Sequence, residues 1–438
     1  MNRPMLPDFS AVRGRHLLIA LSGGADSVAL AHLLTSRRSA LGLTLSAAHI
    51  EHGIRGKESL ADADFCQSLC SALSIPLTTV HANIPEIART SGEGLETAAR
   101  RIRYDALRRI KAETGADWIV LAHHLDDQAE TVLMHLLRGS GPNGLSGMAE
   151  FSGDLYRPLL TTPKSALVNY LAENGISWRT DSTNLIADTP RNSLRLHGLP
   201  ALEESYPSAK QAIARYAESA ACENRLLDRL ANDFLRDHLR SGAYGTCILH
   251  PENADEAILR RALRKICELS LSHDKLLELV ALCRLDRGKT EIDGRLFAEK
   301  TPNALYLLPK KLQLPEAMSL PESGEITFGT IGRLTIAPCR AIPVRDDPFA
   351  QVLRRDALCG AVLRTRMDGD RIRPLGCGDR LLSDLFTDRK IDRPLRATIP
   401  LVAIGSRILW AVGAAVSEDA KLRTEQDDAV LLRWEYFS

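Results

Sequence analysis

The residues best suited to chemistry form a glycine- and serine-rich stretch, Ser22-Gly23-Gly24-Ala25-Asp26-Ser27, directly after the apolar run at 17–21. Two adjacent glycines between a strand and a helix let backbone N–H groups turn towards a ligand, and the helix N-terminus adds partial positive charge. The two serine hydroxyls supply further donors. The stretch therefore predicts a phosphate cradle. The plain alternative is a glycine-rich turn in which Asp26 or Ser27 caps the helix.

The details of this stretch narrow the class of nucleotide site. It lacks the lysine of a Walker A loop and the third glycine of the dinucleotide fingerprint. It resembles instead the pyrophosphate loop, SGGxDS, of the N-type ATP pyrophosphatases. That resemblance implies an enzyme that splits ATP between its α- and β-phosphates, with residues 22–27 on the β- and γ-phosphates and Asp26 helping to hold Mg²⁺.

A second candidate site follows another strand, in the stretch His123-His124-Leu125-Asp126-Asp127-Gln128-Ala129-Glu130. Asp127 and Glu130 share a helix face at i,i+3, and clustered carboxylates repel each other unless a cation lies between them. That cation is either Mg²⁺ or the ammonium group of a ligand. The alternative is a set of acidic residues that complements the helix dipole. The two histidines at the same strand end favour a site.

Basic and glycine-rich elements accompany these stretches. The second strand ends in His49-Ile50-Glu51-His52-Gly53-Ile54-Arg55, which predicts a strand end at His49 against adenine and Arg55 aimed at phosphate. Arg100 and Arg103 are neighbours on a helix, where they bind a substrate carboxylate or RNA phosphate, or are simply solvated. The apolar face of that helix is predicted at Leu95, Ala99, Ile102 and Ile110. The stretch 138–145 is glycine-rich enough to predict a mobile loop.

The elements that position these residues alternate along the first 140 residues. Strands are predicted at 16–21, 43–50, 77–80 and 118–122, and helices at 26–36, 59–73, 93–111 and 126–138. Such alternation with apolar strands predicts an α/β fold with a doubly wound parallel sheet. Ligands of such sheets bind beyond the carboxyl ends of the strands, where Ser22, His49, His52 and His123 fall.

Bulk properties set the remaining limits. The 438 residues are 45% hydrophobic and 25% charged, and 56 basic residues balance 55 acidic ones. We expect a catalytic domain at 1–205, a mainly helical middle domain at 206–350 and a small α+β domain at 351–438. The nine scattered cysteines predict free thiols, with Cys66 and Cys70 in a core, rather than a metal site. Without a signal pattern or an apolar span, we expect a cytoplasmic protein with no membrane contact.

The motifs in combination resemble the bacterial tRNA(Ile)-lysidine synthetase family. The resemblance includes Arg157-Pro158-Leu159-Leu160 and Arg191-Asn192-Ser193-Leu194-Arg195. It extends to the family's terminal domain through Arg364-Thr365-Arg366, Gly369-Asp370-Arg371, Leu385-Phe386, and Arg396 with Pro400. One departure stands before Asp181-Ser182-Thr183-Asn184, where Thr180 replaces the acidic residue that the family commonly has. Any role of that carboxylate is therefore not transferred.

The resemblance implies a two-step reaction. ATP adenylates C2 of the wobble cytidine in a CAU-anticodon isoleucine tRNA, and the ε-amino group of free L-lysine then displaces AMP. Asp127 and Glu130 would bind the lysine ammonium groups and Arg103 the carboxylate. A histidine, His123 or His124, or a carboxylate would accept the amine proton. The implied catalytic residues are Asp26, Asp127 and His123, and the implied tRNA contacts are Arg191, Arg195, Arg364, Arg371 and Arg373.

Other interpretations stay open at this stage. The tRNA thiolases share the phosphate loop but need a catalytic Cys or a CxxC pair, which the scattered thiols do not supply. Amidotransferase synthetases need a glutaminase domain, which often begins with a Cys that Met1-Asn2-Arg3 does not offer. A non-enzymatic ATP-sensing, RNA-binding module has no need of the acidic cluster. The C-terminal arginines are interleaved with aspartates, so a solvated, ion-paired surface competes with an RNA-binding one. A homodimer is one possible assembly.

Overall fold

The fold was taken from a computed structural model that describes residues 7–51, 57–179, 189–267, 271–344 and 347–437. The chain divides into two compact units, Met1–Leu226 and Leu227–Ser438. No helix within the described ranges is long and apolar enough to cross a bilayer. All nine cysteines are free thiols, and Cys66 and Cys70 are buried as the sequence predicts.

The first unit is built on a six-stranded sheet with the strand order β3-β2-β1-β4-β6-β5. All neighbouring strands are parallel except β5, which is antiparallel to β6. The central strand β1 is fully buried at residues 17–19, because helices cover both faces of the sheet. The strands are β1 His16–Ala20, β2 Thr44–Glu51, β3 Leu77–His81, β4 Trp118–Val120, β5 Phe151–Ser152 and β6 Leu155–Tyr156.

The helices of this unit follow the strands in alternation. The long ones are α1 Ala25–Leu41, α2 Lys57–Ala72, α4 Leu95–Thr114, α5 Leu125–Leu137, α7 Lys164–Glu173 and α10 Ala209–His238. The short ones are α3 Ile84–Ser91, α6 Pro142–Leu145, α8 Pro190–Ser193 and α9 Leu199–Ser205. A single 3₁₀ turn, Ser10–Val12, precedes β1, and a π-helical turn, Leu194–Gly198, joins α8 to α9.

Side chains of β1 alternate between the two cores of the unit. Leu17 and Ile19 pack with α1 and α7 in one apolar cluster, and Leu18 packs with Leu107 and Ile110 of α4 in another. This alternation produces the doubly wound sheet that the sequence predicts. The chain order reverses at β1, which lies between β2 and β4, so the carboxyl ends of β1 and β4 form the crevice where such sheets bind ligands.

Three details of the first unit differ from the sequence prediction. Leu95 is 46% exposed and lies outside the apolar face of α4, although Ile110 is buried as predicted. The predicted start of this helix at residue 93 is also too early, since Gly94 is its N-cap. The preceding helix α3 was not predicted. Its eight residues are too few to show a clear helical period in the sequence.

The second unit begins with a region that combines helices and an antiparallel sheet. Helices α11 Glu256–Ile266 and α12 His273–Cys283 pack on a five-stranded sheet of order β7-β8-β11-β10-β9. Its strands are β7 Leu239–Gly242, β8 Gly245–Leu249, β9 Gly288–Glu291, β10 Leu296–Lys300 and β11 Ala304–Pro309. Turns of 3₁₀ helix lie at Pro251–Asn253 here and at Asp356–Leu358 further on.

The rest of the second unit contains two sheets around a shared core that includes Phe328, Trp410 and Trp434. One sheet has the order β12-β16-β19-β20-β17-β18, with β21 paired to β20, and the other has the order β13-β14-β22-β15. The early strands are β12 Met318–Ser319, β13 Gly324–Phe328, β14 Gly332–Cys339, β15 Ala350–Arg354, β16 Val362–Arg364 and β17 Arg371–Ile372. The later ones are β18 Arg380–Leu381, β19 Leu401–Ile404, β20 Arg407–Ala411, β21 Ala415–Val416 and β22 Ala429–Tyr436.

Two short helices, α13 Leu382–Asp388 and α14 Arg393–Arg396, complete this region. Leu385 and Phe386 of α13 are buried against the first sheet, and Trp410 is 1% exposed. These three side chains are therefore core residues.

Candidate active site

The stretch 22–27 forms a tight, pre-shaped loop between β1 and α1. Gly23 has a φ of 84°, a conformation that side-chain-bearing residues rarely adopt. The Ser22 N–H donates to Ser27 Oγ at 3.2 Å, and Ser27 Oγ donates to the Gly24 carbonyl at 3.0 Å. Gly24 is the N-cap of α1, so neither Asp26 nor Ser27 has the capping role of the plain alternative. The loop leaves the helix N-terminus open, as a phosphate cradle requires.

His124 links this loop to the acidic cluster. Its Nε2 lies 3.5 Å from Asp26 Oδ2 and 3.4 Å from Asp127 Oδ2. Its Nδ1 accepts the Asp127 N–H at 3.4 Å, while Asp127 Oδ2 accepts the His124 N–H at 3.1 Å, which makes a capping box at the start of α5. The Nε2 atom is therefore the one that donates to the carboxylates.

The pKa values of this pair move in opposite directions. Burial lowers the pKa of His124, but the hydrogen bond to Asp26 and the charges of Asp127, Asp26 and Asp126 raise it to above its ordinary value. Burial raises the pKa of Asp26, but the hydrogen bond and charge of His124, with more distant cations, bring it below its ordinary value. Asp26 is thus held as a carboxylate at the lip of the loop.

The carboxylates of Asp127 and Glu130 are bound by two arginines. Arg195 donates from Nε to Glu130 Oε1 at 2.6 Å, and from Nη2 to Glu130 Oε2 at 2.8 Å and Asp127 Oδ1 at 3.0 Å. Arg191 donates from Nε to Glu130 Oε2 at 2.9 Å and from Nη2 to Asp127 Oδ1 at 3.4 Å. Arg191 and Arg195 therefore supply the positive charge that the sequence predicts between these carboxylates. Both arginines are predicted to contact tRNA.

His123 lies beside this cluster in a basic environment. Burial lowers the pKa of His123 to about 4; the charge of Asp127 opposes this shift, and the charges of Arg157, Arg191 and Arg100 add to it. The imidazole is neutral at pH 7, and its buried Nδ1 has no hydrogen-bond partner among the described residues. Arg157 is buried at the end of β6 and donates from Nη1 to the Ala149 carbonyl at 2.9 Å.

The second strand places His49 next to the phosphate loop. His49 is 5% exposed, and its Nδ1 donates to the carbonyl of Leu21, the residue before Ser22, at 2.9 Å. Its Nε2 is buried without a partner among the described residues. Arg55 and His52 of the same motif lie outside the described residues, as does the stretch 180–188 that contains Thr180 and Asp181.

Arg103, the predicted carboxylate ligand, lies on the exposed side of α4. Its neighbour Arg100 is also exposed, and its guanidinium carbon lies 5.1 Å from the centre of the Tyr104 ring. The role of Arg103 stays a prediction.

The glycine-rich segment after α5 is held in place, contrary to the predicted mobile loop. It contains α6, and His135 Nδ1 bonds the Gly144 carbonyl at 2.6 Å. Buried Asn224 of α10 donates to the Pro142 carbonyl at 2.9 Å and to Ser146 Oγ at 2.5 Å. These anchors come from residues about ten and eighty positions away, so glycine content alone is a poor guide to mobility here.

Three residues of the cluster, His124, Asp126 and Lys210, make contacts that the sequence does not predict. His124 is the link described above, and Asp126 joins the acid cluster to α10 because Lys210 Nζ lies 2.8 Å from its Oδ2. Asp126 Oδ1 also accepts the Lys164 N–H at 3.1 Å. The pairs His123-His124 and Asp126-Asp127 are visible in the sequence and indicate a function for all four side chains. Lys210 has no such signal, because it lies in a helix without a motif.

The predicted C-terminal tRNA contacts have different surroundings. Arg364 is buried and makes two hydrogen bonds with Asp370, at 2.6 and 2.9 Å. This ion pair gives Arg364 a structural role in the sheet. Arg371 is 46% exposed and pairs with Asp379 at 2.7 Å, and Arg373 is exposed. The ion-paired surface that the sequence allows is therefore partly present, and an RNA-binding role is pursued below for Arg371 and Arg373.

No group of three or more His, Cys, Asp or Glu residues within the described part of the chain is arranged to hold a metal ion. One carboxylate oxygen nevertheless suits a cation, since Asp26 Oδ1 is buried without a hydrogen-bond partner. Mg²⁺ is commonly held by one or two carboxylates together with substrate phosphates. The residues thus fit a Mg²⁺ ion that is shared with a bound polyphosphate.

Comparison with known proteins agrees with this geometry. A PP-loop domain family matches residues 3–202, and a TilS substrate C-terminal domain family matches residues 361–434. The chain is 30% identical over 434 residues to a tRNA(Ile)-lysidine synthase of Geobacter sulfurreducens, covering 93% of this chain and 91% of that protein. It is 33% identical to that of Symbiobacterium thermophilum, covering 94% and 92%. It is 38% identical over 320 residues to that of Thermus thermophilus, covering 72% and 62%.

Proposed function

Because the chain belongs to the tRNA(Ile)-lysidine synthase family, we infer that it uses ATP to convert a cytidine of tRNA(Ile) to lysidine. The observation that carries the assignment at residue level is the junction of phosphate loop and acidic cluster at His124, which lies within 3.5 Å of both Asp26 and Asp127. A nucleotide on the loop and an amine at the acids would meet at this point.

We propose that the reaction runs in two steps on the wobble cytidine of a CAU-anticodon tRNA. In the first, the oxygen on C2 attacks the α-phosphorus of ATP and pyrophosphate leaves. In the second, the ε-amino group of lysine attacks C2, AMP leaves, and the nitrogen loses a proton. Residues 22–27 would hold the β- and γ-phosphates through backbone N–H groups. The strand end at His49 would lie against the adenine, and Arg55 would contact phosphate.

Mg²⁺ would be held by Asp26 together with the phosphates, where it neutralises charge on the departing pyrophosphate. The support is the unpartnered Asp26 Oδ1, which is buried and carries no competing hydrogen bond. The pairing of Asp26 with His124 through the other oxygen keeps this carboxylate ionised and fixes its direction.

Lysine would bind with its ammonium groups at Asp127 and Glu130 and its carboxylate at Arg103. Glu130 is 1% exposed and both of its oxygens already accept guanidinium N–H groups. An ammonium group can therefore bind there only by sharing or displacing Arg191 and Arg195. The neutral imidazole of His123 would accept a hydrogen bond from the incoming amine, although a pKa of about 4 makes it a weak base at pH 7.

We propose that Arg371 and Arg373 contribute to a tRNA-binding surface in the C-terminal region, with Arg191 and Arg195 nearer the anticodon. The three-domain division at 205 and 350 stays a prediction, and the apolar cores favour moving the second boundary to about residue 320, because one core lies at 248–307 and another contains residues from 326 to 434. We also propose a cytoplasmic homodimer. Exposed Leu136 and Leu137 at the end of α5 supply apolar surface for a second copy, which sedimentation velocity would test.

The decisive experiment measures pyrophosphate and AMP release from ATP with lysine and CAU-anticodon tRNA(Ile), each alone and both together. Pyrophosphate should appear only when the tRNA is present, and AMP should be freed once lysine is added. A requirement for glutamine or a sulfur donor would instead favour an amidotransferase or a thiolase.

A further inference from the structure

The phosphate loop is bordered by a second backbone segment besides β1 and α1. After α7 the chain runs back past the loop, and the Arg179 N–H donates to the Gly23 carbonyl at 3.0 Å. Gly24 and Arg179 form an isolated parallel bridge. Ile176 and Trp178 anchor this segment by packing against the core that contains β1 and α1. The carbonyl side of the Gly23 peptide is therefore fixed from outside the loop.

The side chain of Arg179 reaches a third element. Its Nε donates to Asp62 Oδ1 of α2 at 2.8 Å, and the Asp62 side chain is only 13% exposed. The same helix presses on the loop directly, since a methyl group at Gly23 would lie 3.3 Å from Cys66 Sγ and 3.5 Å from Phe65. Arg179 and Asp62 thus join α2 and the returning segment at the position where the loop has its left-handed glycine.

The energetics of this pair favour a positioning role over a stabilising one. The Arg179 side chain is 44% exposed, and an ion pair with a partner in water adds little to folding stability. Catalytic geometry is more sensitive than stability, because small displacements of groups that bind a substrate lower the rate steeply. The backbone N–H groups of the loop must all point to one site. The Arg179–Asp62 pair helps to fix them, because it joins the two elements that contact Gly23.

We propose that Arg179 and Asp62 form a positioning pair for the phosphate loop, which tunes ATP binding without touching the reacting atoms. The pair acts on the nucleotide step because its contacts surround Gly23. Residues that bind the lysine, by contrast, are held by Arg191 and Arg195. The inference rests on ATP binding at residues 22–27.

The test compares Arg179→Ala and Asp62→Asn with the wild type in tRNA-dependent pyrophosphate release. We expect the KM for ATP to rise about tenfold in each, which corresponds to about 1.4 kcal/mol, with a smaller change in kcat and an unchanged KM for lysine. The double variant should be no worse than either single one, because each already breaks the same pair. Arg179→Lys should recover part of the ATP affinity, since it restores a cation opposite Asp62.

Two controls separate positioning from general damage. Arg108→Ala removes another arginine of the same unit, paired with Asp154 at 3.3 Å, and should leave the KM for ATP unchanged. Hydrogen exchange of the amides at 22–28, measured without ATP, should become faster in Arg179→Ala but not in Arg108→Ala, at similar melting temperatures.

The outcomes distinguish this inference from the function on which it rests. A wild-type protein with no ATP-dependent pyrophosphate release would overturn the function. An active wild type whose two variants keep a normal KM for ATP, or whose effects simply add in the double variant, would overturn the positioning pair. Equal losses in melting temperature and in every kinetic parameter would also overturn it, since they indicate a structural role only.

Discussion

Both carboxylate oxygens of Glu130 accept hydrogen bonds from Arg195, at 2.6 and 2.8 Å, although the two residues are 65 positions apart. Glu130 is 1% exposed, and its charge is compensated only by Arg195 and Arg191 among the described residues. This pair joins the segment of α8 and α9 to the acidic cluster on α5. Because both Glu130 oxygens accept guanidinium N–H groups, an external cation can bind there only by sharing or displacing an arginine.

We expect Arg195→Ala to lower the free energy of unfolding by about 2–3 kcal/mol, because it leaves a buried carboxylate with one partner fewer. Urea unfolding of the full chain measures the loss. The double variant Glu130→Gln, Arg195→Ala should lose less than the sum of its single variants. Arg101→Ala, which breaks an exposed pair with Glu93, should change the free energy of unfolding much less, because water screens that pair. Equal losses in the Arg101 and Arg195 variants would contradict the buried-pair argument.

Asp26→Ala should abolish pyrophosphate release while leaving the fold intact. The substitution removes the only carboxylate that we assign to Mg²⁺ and the partner of His124 on the phosphate loop. Rates in the variant should fall by at least about 100-fold, the magnitude typical for loss of one group that stabilises transition-state charge. The measurement is tRNA-dependent pyrophosphate release over a Mg²⁺ titration, with the melting temperature as control. Normal release would remove Asp26 from the mechanism.

The sequence predicts the parts of the site that depend on local pattern. The apolar strand before Ser22 and the doubled histidines and aspartates at 123–127 are local, and each lies at a strand end as predicted. Contacts between distant segments are not predictable in the same way. The acids at Asp127 and Glu130 require a cation, but many cations satisfy that requirement, and only the fold selects Arg191 and Arg195.

The same limit explains the errors in flexibility and exposure. The glycine-rich stretch 138–145 indicates a mobile loop only if no distant residue binds it, and Asn224 hydrogen-bonds to Pro142 within it. The prediction that Leu95 belongs to the apolar face of α4 is wrong, because the first turn of a helix often extends beyond the core on which the helix packs. Short strands such as β7 and β9 carry too few residues for a clear alternation of apolar and polar side chains.

His123 should make the fold sensitive to mild acid. Burial and neighbouring arginines lower its pKa to about 4 in the folded chain, against about 6.5 when unfolded. Between pH 6.5 and pH 4 this histidine is protonated in the unfolded chain but neutral in the folded one, so protonation favours unfolding. The contribution of His123 to stability is therefore present above pH 6.5 and lost towards pH 4. His123→Gln should therefore gain about 2 kcal/mol relative to wild type between pH 7 and pH 4.5 in urea unfolding. Parallel stability curves for the two proteins would contradict the shift.

Replacing Arg371 and Arg373 with Ala should weaken tRNA binding and reduce its salt dependence. Each phosphate contact that is lost lowers the slope of log K against log salt by about one or less. Filter binding or fluorescence anisotropy at several salt concentrations gives that slope. Arg333→Ala, which removes a half-exposed arginine of β14 that pairs with Glu325 of β13, is the matched control. An unchanged slope in the Arg371 and Arg373 variant would exclude this surface from tRNA binding.

The two glycines of the phosphate loop should respond differently to the same substitution. Gly23 has a φ of 84°, and a methyl group there would lie 3.3 Å from Cys66 Sγ, whereas a methyl group at Gly24 would meet only Ser22 Oγ at 3.6 Å. Gly23→Ala should therefore lower the free energy of unfolding by about 1–2 kcal/mol without nucleotide, and Gly24→Ala by less, about 0.7 kcal/mol, since alanine is a poorer N-cap than glycine. Adding Cys66→Ala should relieve the crowding but not the backbone strain, so it should restore only part of the Gly23→Ala loss. Equal stability of the two glycine variants would show that the loop reaches phosphate in a different backbone conformation.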